Sequence, residues 1–177
     1  MYSLDFFIQS YVSSIRTVFV TELMYITSTV FDASLLFLFL SLFVSLFIYA
    51  VRNIRYACLF FASLFSTAVV VYILKHIFNV SRPLNGIVAV FSPSFPSYHA
   101  TIASVFFIML MYIFDDYLSS FWRIIFNTFC ILSIFVVAFS RIYLGVHWLS
   151  DVLAGIVIGG ILSYCFVLVF RKKYMLK

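Results

Sequence analysis

Charged side chains are scarce in this 177-residue sequence: Asp, Glu, Lys and Arg together make up 10% of it. Soluble domains carry about 25%, so a water-soluble globular domain is excluded and lipid is the main solvent. Acidic residues are scarcer than basic ones, 6 against 11, for a net charge of +5. In a soluble protein that balance would suggest nucleic acid. Here the basic residues flank apolar runs instead of forming a stripe, so no nucleic-acid partner is expected. Cysteine is limited to Cys58, Cys130 and Cys165. An odd number with no CxxC pair argues against a disulfide framework or a zinc site and leaves buried, inert thiols. The chain opens with neither a basic segment nor a small-residue cleavage site, and it carries Asp5. A cleaved signal peptide is therefore not expected, and the first spanning helix serves as the export signal. Proline is confined to Pro83, Pro93 and Pro96, which marks residues 80–98 as the main non-helical stretch.

What is abundant is apolar: 66% of the residues are hydrophobic and 21% aromatic, a composition that also excludes disorder. Charge-free runs occupy residues 33–51, 56–74, 100–114, 124–140 and 152–170, against the roughly 17–25 residues that span a hydrocarbon core. The third run is short, so its helix is expected to begin within the loop before it, with His99 slightly below the membrane surface. Along residues 4–24, Leu4, Ile8, Tyr11, Ile15 and Val18 recur at helical spacing, opposite Asp5, Gln9, Ser13 and Arg16. That pattern describes an interfacial helix. A sixth span is the alternative, at the cost of placing Arg16 and Glu22 in lipid. The expected fold is an all-α integral membrane protein: a bundle of five, alternatively six, transmembrane helices with an N-terminal amphipathic interfacial helix. A single domain of residues 1–177 divides into the interfacial helix (1–30), a transmembrane core (33–170) containing an external loop (80–98), and a basic tail (171–177). Ile87, Val88, Val90, Phe91 and Phe95 suit either a lid in the headgroup layer or packing on neighbouring helices.

Arg52, Arg55, Arg123, Arg171, Lys172, Lys173 and Lys177 fall on one side of a five-span layout, which the positive-inside rule makes cytoplasmic. Lys75, Arg82, Ser97, His99, Arg141, His147 and Asp151 then meet on the external side, because four helix ends emerge there. Three cations, two imidazoles and a carboxylate at a bilayer surface suit phosphoryl transfer, in which fixed donors hold the negative oxygens. Ser97 is placed to cap the third span, whose N-terminus is itself an anion site. His147 and Asp151 are four apart, so on a helix the carboxylate can orient the ring. A neutral imidazole is a competent nucleophile, and His99 can protonate the leaving group. A metal site of His99, His147 and Asp151 has suitable ligand types, but the three cations oppose it. No metal and no cofactor are expected.

The sequence reads Lys75-x6-Arg82-Pro83, then Pro96-Ser97-Tyr98-His99, then Ser140-Arg141-x5-His147-x3-Asp151. It resembles the three-part signature of the type 2 phosphatidic acid phosphatase family, by motif over residues 75–151 and by layout after residue 33. The resemblance implies a helical bundle and metal-independent hydrolysis of lipid phosphates through a phosphohistidine. It implies His147 as nucleophile, Asp151 as its orienting acid and His99 as general acid, with Lys75, Arg82, Ser97, Tyr98 and Arg141 at the phosphate-binding positions. Tyr98 departs from the family, which usually has glycine there, and a position requiring positive φ would be strained.

His76 stands outside this set and reads as solvated at the interface, while Trp122 and Trp148 read as membrane-interface anchors. Gly155 and Gly159 read as a close-packing pattern within the bundle. Asp115 and Asp116 lie on the cytoplasmic side, away from the site. The expected activity is removal of a phosphate or diphosphate headgroup at the outer face of a cytoplasmic membrane, with polyprenyl (undecaprenyl) diphosphate as the first substrate. Phosphatidylglycerol phosphate, phosphatidic acid and a lipid A phosphate are alternatives, as are a lipid phosphotransferase and a non-catalytic lipid-binding or transport protein. The vanadium haloperoxidases look similar at these motifs, but a short membrane-embedded chain argues against their activity. The partners are the bilayer and its lipid phosphate, and no feature sets an oligomeric state.

Overall fold

The computed structural model describes residues 2–32 and 35–174. The start of the expected first span at residue 33, and Lys177 with the end of the expected tail, lie outside the described residues. All regular structure among the described residues is helical: α1 Tyr2–Ser14, α2 Val18–Val30, α3 Leu35–Val51, α4 Ile54–Phe78, α5 Tyr98–Phe114, α6 Ser120–Tyr143 and α7 Leu149–Tyr174. Of these, α4, α6 and α7 are each long and apolar enough to cross a membrane, and α2 with α3 passes the same test as a pair bent by 62°. The expected five crossings correspond to α3–α7, but α3 and α5 have only 17 residues each, at the short end of the spanning range. The basic tail stays helical through Tyr174.

The expected N-terminal helix is two helices. Thr17 is the N-cap of α2 and its side chain accepts from the Val20 N–H, which satisfies one of the free donors of a new helix start. The amphipathicity of α1 is turned inward. Asp5 and Gln9 are 6% and 2% exposed, while Leu4, Phe7 and Tyr11 face outward. In lipid that is the stable arrangement, since a polar group is satisfied only inside the bundle.

The centre is built on α5, which lies against α4, α6 and α7. Phe31, Phe37, Phe60 and Phe107 surround Phe106 with ring centroids 5.2–6.2 Å away, a range typical of tilted and edge-on aromatic packing. A Cβ at Gly159 would lie 2.6 Å from the Ser104 Cβ and 2.7 Å from the Thr101 carbonyl. Only glycine lets α7 approach α5 so closely. Cys130 is buried, whereas Cys58 and Cys165 are exposed on the outer surface of α4 and α7, so burial of all three thiols does not hold.

Candidate active site

The turn after α6 places His147. Gly145 has φ +74°, its N–H reaches the Ile142 carbonyl at 3.0 Å, and the Val146 N–H reaches that of Arg141 at 3.2 Å. This is the paired C-terminal closure that a left-handed glycine permits. Arg141 is thereby left on the last turn of α6, with His147 just beyond it. Asp151 then opens α7, its Oδ2 accepting from the Trp148 N–H at 2.9 Å, a reach-back that caps the helix. Asp5 of α1 caps it further, accepting from the Ser150 N–H at 2.9 Å and hydroxyl at 2.8 Å.

The protonation of His147 follows from its neighbours. An Arg82 guanidinium N–H lies 3.2 Å from His147 Nε2, and because arginine only donates, Nε2 is the unprotonated nitrogen. The proton is therefore on Nδ1, which faces Asp151 Oδ2 at 3.4 Å and Ser94 Oγ at 3.3 Å. His147 is 1% exposed. Burial, reinforced by Arg82, Arg141 and Lys75, holds its pKa well below the usual imidazole value. The ring is neutral at pH 7, with a lone pair on Nε2.

The other expected residues gather around it. Lys75, in the last turn of α4, donates to the carbonyls of Pro93 at 2.5 Å and Ser94 at 3.1 Å. Arg82 also donates to the carbonyls of Ser92 at 2.7 Å, Pro93 at 3.1 Å and Val146 at 2.5 Å. Arg141 donates to the Ser28 hydroxyl, and His99 Nε2 stands 3.4 Å from Asp32 Oδ1, at ion-pair distance. Lys75, Arg82, Tyr98, His99, Arg141 and His147 line one cavity of about 530 Å³. Asp151 is outside that lining and acts on it through His147. Ser97 is also outside it: it is the N-cap residue of α5, but its hydroxyl makes no cap bond, and its N–H donates to the Asp151 carbonyl at 3.1 Å. Tyr98 carries no backbone strain, because Asn79 is the one non-glycine described residue with positive φ.

Buried polar atoms without hydrogen-bond partners call for an explanation, a catalytic role or a ligand among them. Six such side-chain atoms occur among the described residues, and Ser97 Oγ, His99 Nε2 and Arg141 Nε are three of them. A second cavity of about 490 Å³ at the opposite end, beside Asp115, Asp116 and Arg171, contains no histidine. His76 is outside the site, with its Nδ1 2.8 Å from the Tyr72 carbonyl of its own helix.

The sequence profile of the PAP2 superfamily matches residues 55–175. The chain belongs to the PAP2 superfamily. The crystal structure of the first transmembrane PAP2-type phosphatidylglycerolphosphate phosphatase from Bacillus subtilis is similar at TM-score 0.88 and 25% identity, over 98% of this chain and 87% of that one. The crystal structure of Aquifex aeolicus LpxE is similar in fold at TM-score 0.75 and 20% identity, over 93% and 94%. No curated protein sequence matches this chain. The protein therefore has the fold of a PAP2-type membrane lipid phosphatase.

Around this PAP2 site the structure adds residues that the sequence did not single out. Ser94, fully buried, donates to Asp151 Oδ2 while touching His147, so it braces the pair from the loop. Asp32 stands at His99, and Ser28 at Arg141. Arg16, read as part of a polar face, donates to the carbonyls of Tyr143 at 2.8 Å and Asn85 at 3.0 Å, tying the link between α1 and α2 to both loops of the site. Ser94 lies beside Pro93 and Pro96, so the proline cluster was the signal that could have found it. The others carry no spacing signal.

Loop 80–98 divides between the two expectations for it. Val88 and Val90 pack on the cluster around Ile142 and Val146, Phe95 meets Phe78 edge-on at 5.0 Å, and Leu84 and Phe91 are fully exposed. Trp148 is more than an anchor, since its Nε1 donates to the Ser81 carbonyl at 2.9 Å and its ring meets Phe6 at 4.9 Å.

Proposed function

We propose that this protein hydrolyses a lipid phosphate or diphosphate at the outer face of a cytoplasmic membrane, through a phosphohistidine at His147 and without a metal. The observation that carries the reading is the Arg82 contact at 3.2 Å, which leaves the lone pair of His147 on the nitrogen facing the cationic cavity. Phosphate draws the guanidinium of Arg82 onto its oxygens and frees Nε2. The lone pair of Nε2 attacks phosphorus, and the bond to the leaving oxygen breaks. His99, paired with Asp32, gives that oxygen a proton. Water then attacks the phosphohistidine, giving a proton to His99, the N–P bond breaks with its electrons returning to Nε2, and inorganic phosphate leaves. Asp151 and Ser94 hold Nδ1–H throughout. Lys75, Arg82 and Arg141 bind the nonbridging oxygens, with Ser97 and the Tyr98 N–H at the start of α5 completing the anion site.

The lipid reaches this site laterally, between helices, with its tail still in the bilayer. Polyprenyl diphosphate is the first substrate, because three cations match a diphosphate better than a monoester, which carries about −1.5 to −2. Phosphatidylglycerol phosphate is the second reading, favoured by the likeness to the Bacillus subtilis enzyme. The basic ends at Arg52, Arg55, Arg123 and Arg171 to Lys173 support a cytoplasmic position for that side.

Phosphate release from polyprenyl diphosphate, phosphatidylglycerol phosphate, phosphatidic acid and a lipid A phosphate, measured in detergent with chelator, tests this. The expected result is release that survives the chelator and falls about 10⁴-fold or more in His147→Ala. Release unchanged in that variant would overturn the histidine mechanism, and loss on chelation would overturn metal independence.

A further inference from the structure

One wall of the cationic cavity comes from α2 and the residues just past its end, where Tyr25, Ser28, Thr29 and Asp32 recur at helical spacing. Among the described residues that line this cavity, Asp32 is the one carboxylate. Its place is fixed by its neighbours. The Asp32 N–H donates to the Thr29 carbonyl at 3.3 Å. The preceding Phe31 is buried, with its ring 5.7 Å from those of Phe106 and Phe107 on α5. His99 stands two turns up that same helix, and its Nε2 lies 3.4 Å from Asp32 Oδ1. An aromatic anchor on α5 thus brings the carboxylate to a histidine of α5, although the Asp32 side chain itself is 62% exposed. His99 is buried and shares the cavity with Lys75, Arg82 and Arg141. A buried imidazolium among cations needs a counter-charge, and Asp32 is placed to supply it. Asp32 also lies ahead of residues 55–175, where the family profile matches, so it comes from outside the shared motifs.

We propose that Asp32, acting through His99, equips this site to cleave phosphate monoesters, whereas cleavage of a diphosphate depends on it little. This rests on the phosphatase reading and adds a positioning residue and the substrate class that it serves. Attack by His147 Nε2 breaks the bond between phosphorus and the bridging oxygen. In a monoester that oxygen departs as an alkoxide, a strong base, and takes the proton of His99 Nε2 as it leaves. In a diphosphate it departs on the second phosphate, whose charge is spread over its other oxygens, so the proton is needed far less. General acid catalysis follows the basicity of the atom that receives the proton. A residue that balances the charge of the general acid is therefore felt by the ester and hardly by the anhydride.

Measuring kcat/KM of the full-length protein in nanodiscs for dodecyl phosphate and dodecyl diphosphate, which share a chain and differ in the leaving group, tests this. That parameter ends at the departure of the leaving group, so hydrolysis of the phosphohistidine, common to both, does not enter it. Asp32→Asn should lower the value about 100-fold for dodecyl phosphate and by about threefold or less for the diphosphate, whose retained cleavage also shows that the variant is folded. The ester para-nitrophenyl phosphate, whose leaving group is a weak base, should follow the diphosphate, a division between two esters that a merely structural role would not make. Asp32→Glu should recover most of the monoester activity. In His99→Asn the addition of Asp32→Asn should cost nothing further on dodecyl phosphate, because the carboxylate acts through the ring. Equal losses on the two dodecyl substrates, or losses that add in the double variant, would overturn the role of Asp32 and leave the phosphatase reading standing. No release from either substrate by the wild type would sink both.

Discussion

The end away from the site carries more cations than the site end, and the two ends treat them in opposite ways. At the end away from the site, Arg52 meets Asp116 at 2.7 Å and the ring of Tyr56 at 4.7 Å. Arg55 lies over Tyr174 at 5.0 Å, and Arg171 over Tyr112 at 5.5 Å. At the site end, Lys75 and Arg82 hold backbone carbonyls and Arg141 holds a hydroxyl. A carboxylate or ring neutralises or shields a cation, whereas a carbonyl fixes its position and leaves its charge for an anion. The difference teaches that local charge count is a poor guide to a site, and that the partners of the charge are a good one.

The comparison can be broken most severely at His147, where replacement by Ala leaves the cations in place and removes the group they serve. Next comes Arg82→Lys, which keeps the charge and loses the fork that reaches three carbonyls and His147. A loss of about 10²–10³-fold in kcat/KM is expected, while Arg171→Lys at the other end should stay within about twofold. Similar losses at both ends would erase the distinction. Ser94→Ala removes the brace on Asp151 and His147, and phosphate release should fall about 10–100-fold, as for other residues that orient a reacting group.

A pH profile sharpens the same contrast. His147 titrates below the ordinary imidazole value because it is buried among cations, so the acid limb of activity should lie below about pH 6.5. In Arg82→Gln one of those cations is gone, and the limb of the residual activity should move to higher pH. A limb that moves down, or does not move, would contradict the assignment. The unfolded chain takes up a proton at His147 below that pH and the folded one does not, so this group withdraws stability as pH falls through about 6.5.

The smallest effect is expected at Arg52→Ala. Its partner Asp116 is exposed and held below the usual carboxylate range mainly by the Arg52 hydrogen bond. The pair contributes at most about 1 kcal/mol, lost as pH falls through the lowered Asp116 value. Thermal unfolding of the variant with activity monitored in parallel would check both halves of that statement.

Much of the site was legible because helix ends enforce it. Lys75, Arg82, His99, Arg141, His147 and Asp151 had to converge once four apolar runs were given alternating directions. Ser97 was legible as the residue before α5 but not in its hydroxyl, which turns away from the cap. Ser28 and Asp32 were not legible, since each meets its partner through tertiary packing, Ser28 across 113 positions of chain, and Ser94 was marked only by the prolines beside it. The break at Ile15–Thr17 was hidden because Arg16 fitted the polar face of a continuous helix. Five spans were inferred from five charge-free runs, but a run does not fix the length of its helix: α5 begins two residues before its run, and α3 and α5 have 17 residues each.

The bond from Ser150 to Asp5 closes a loop of 145 positions. During synthesis Asp5 precedes Ser150 by five helices, so the carboxylate that helps to cap α7 must wait until α2–α6 have been made. Until that final helix arrives, His147 has neither its orienting acid nor a fixed ring. A chain that stops before α7 therefore lacks the carboxylate beside His147, and the contact of α1 with α7 forms only after the helices between them.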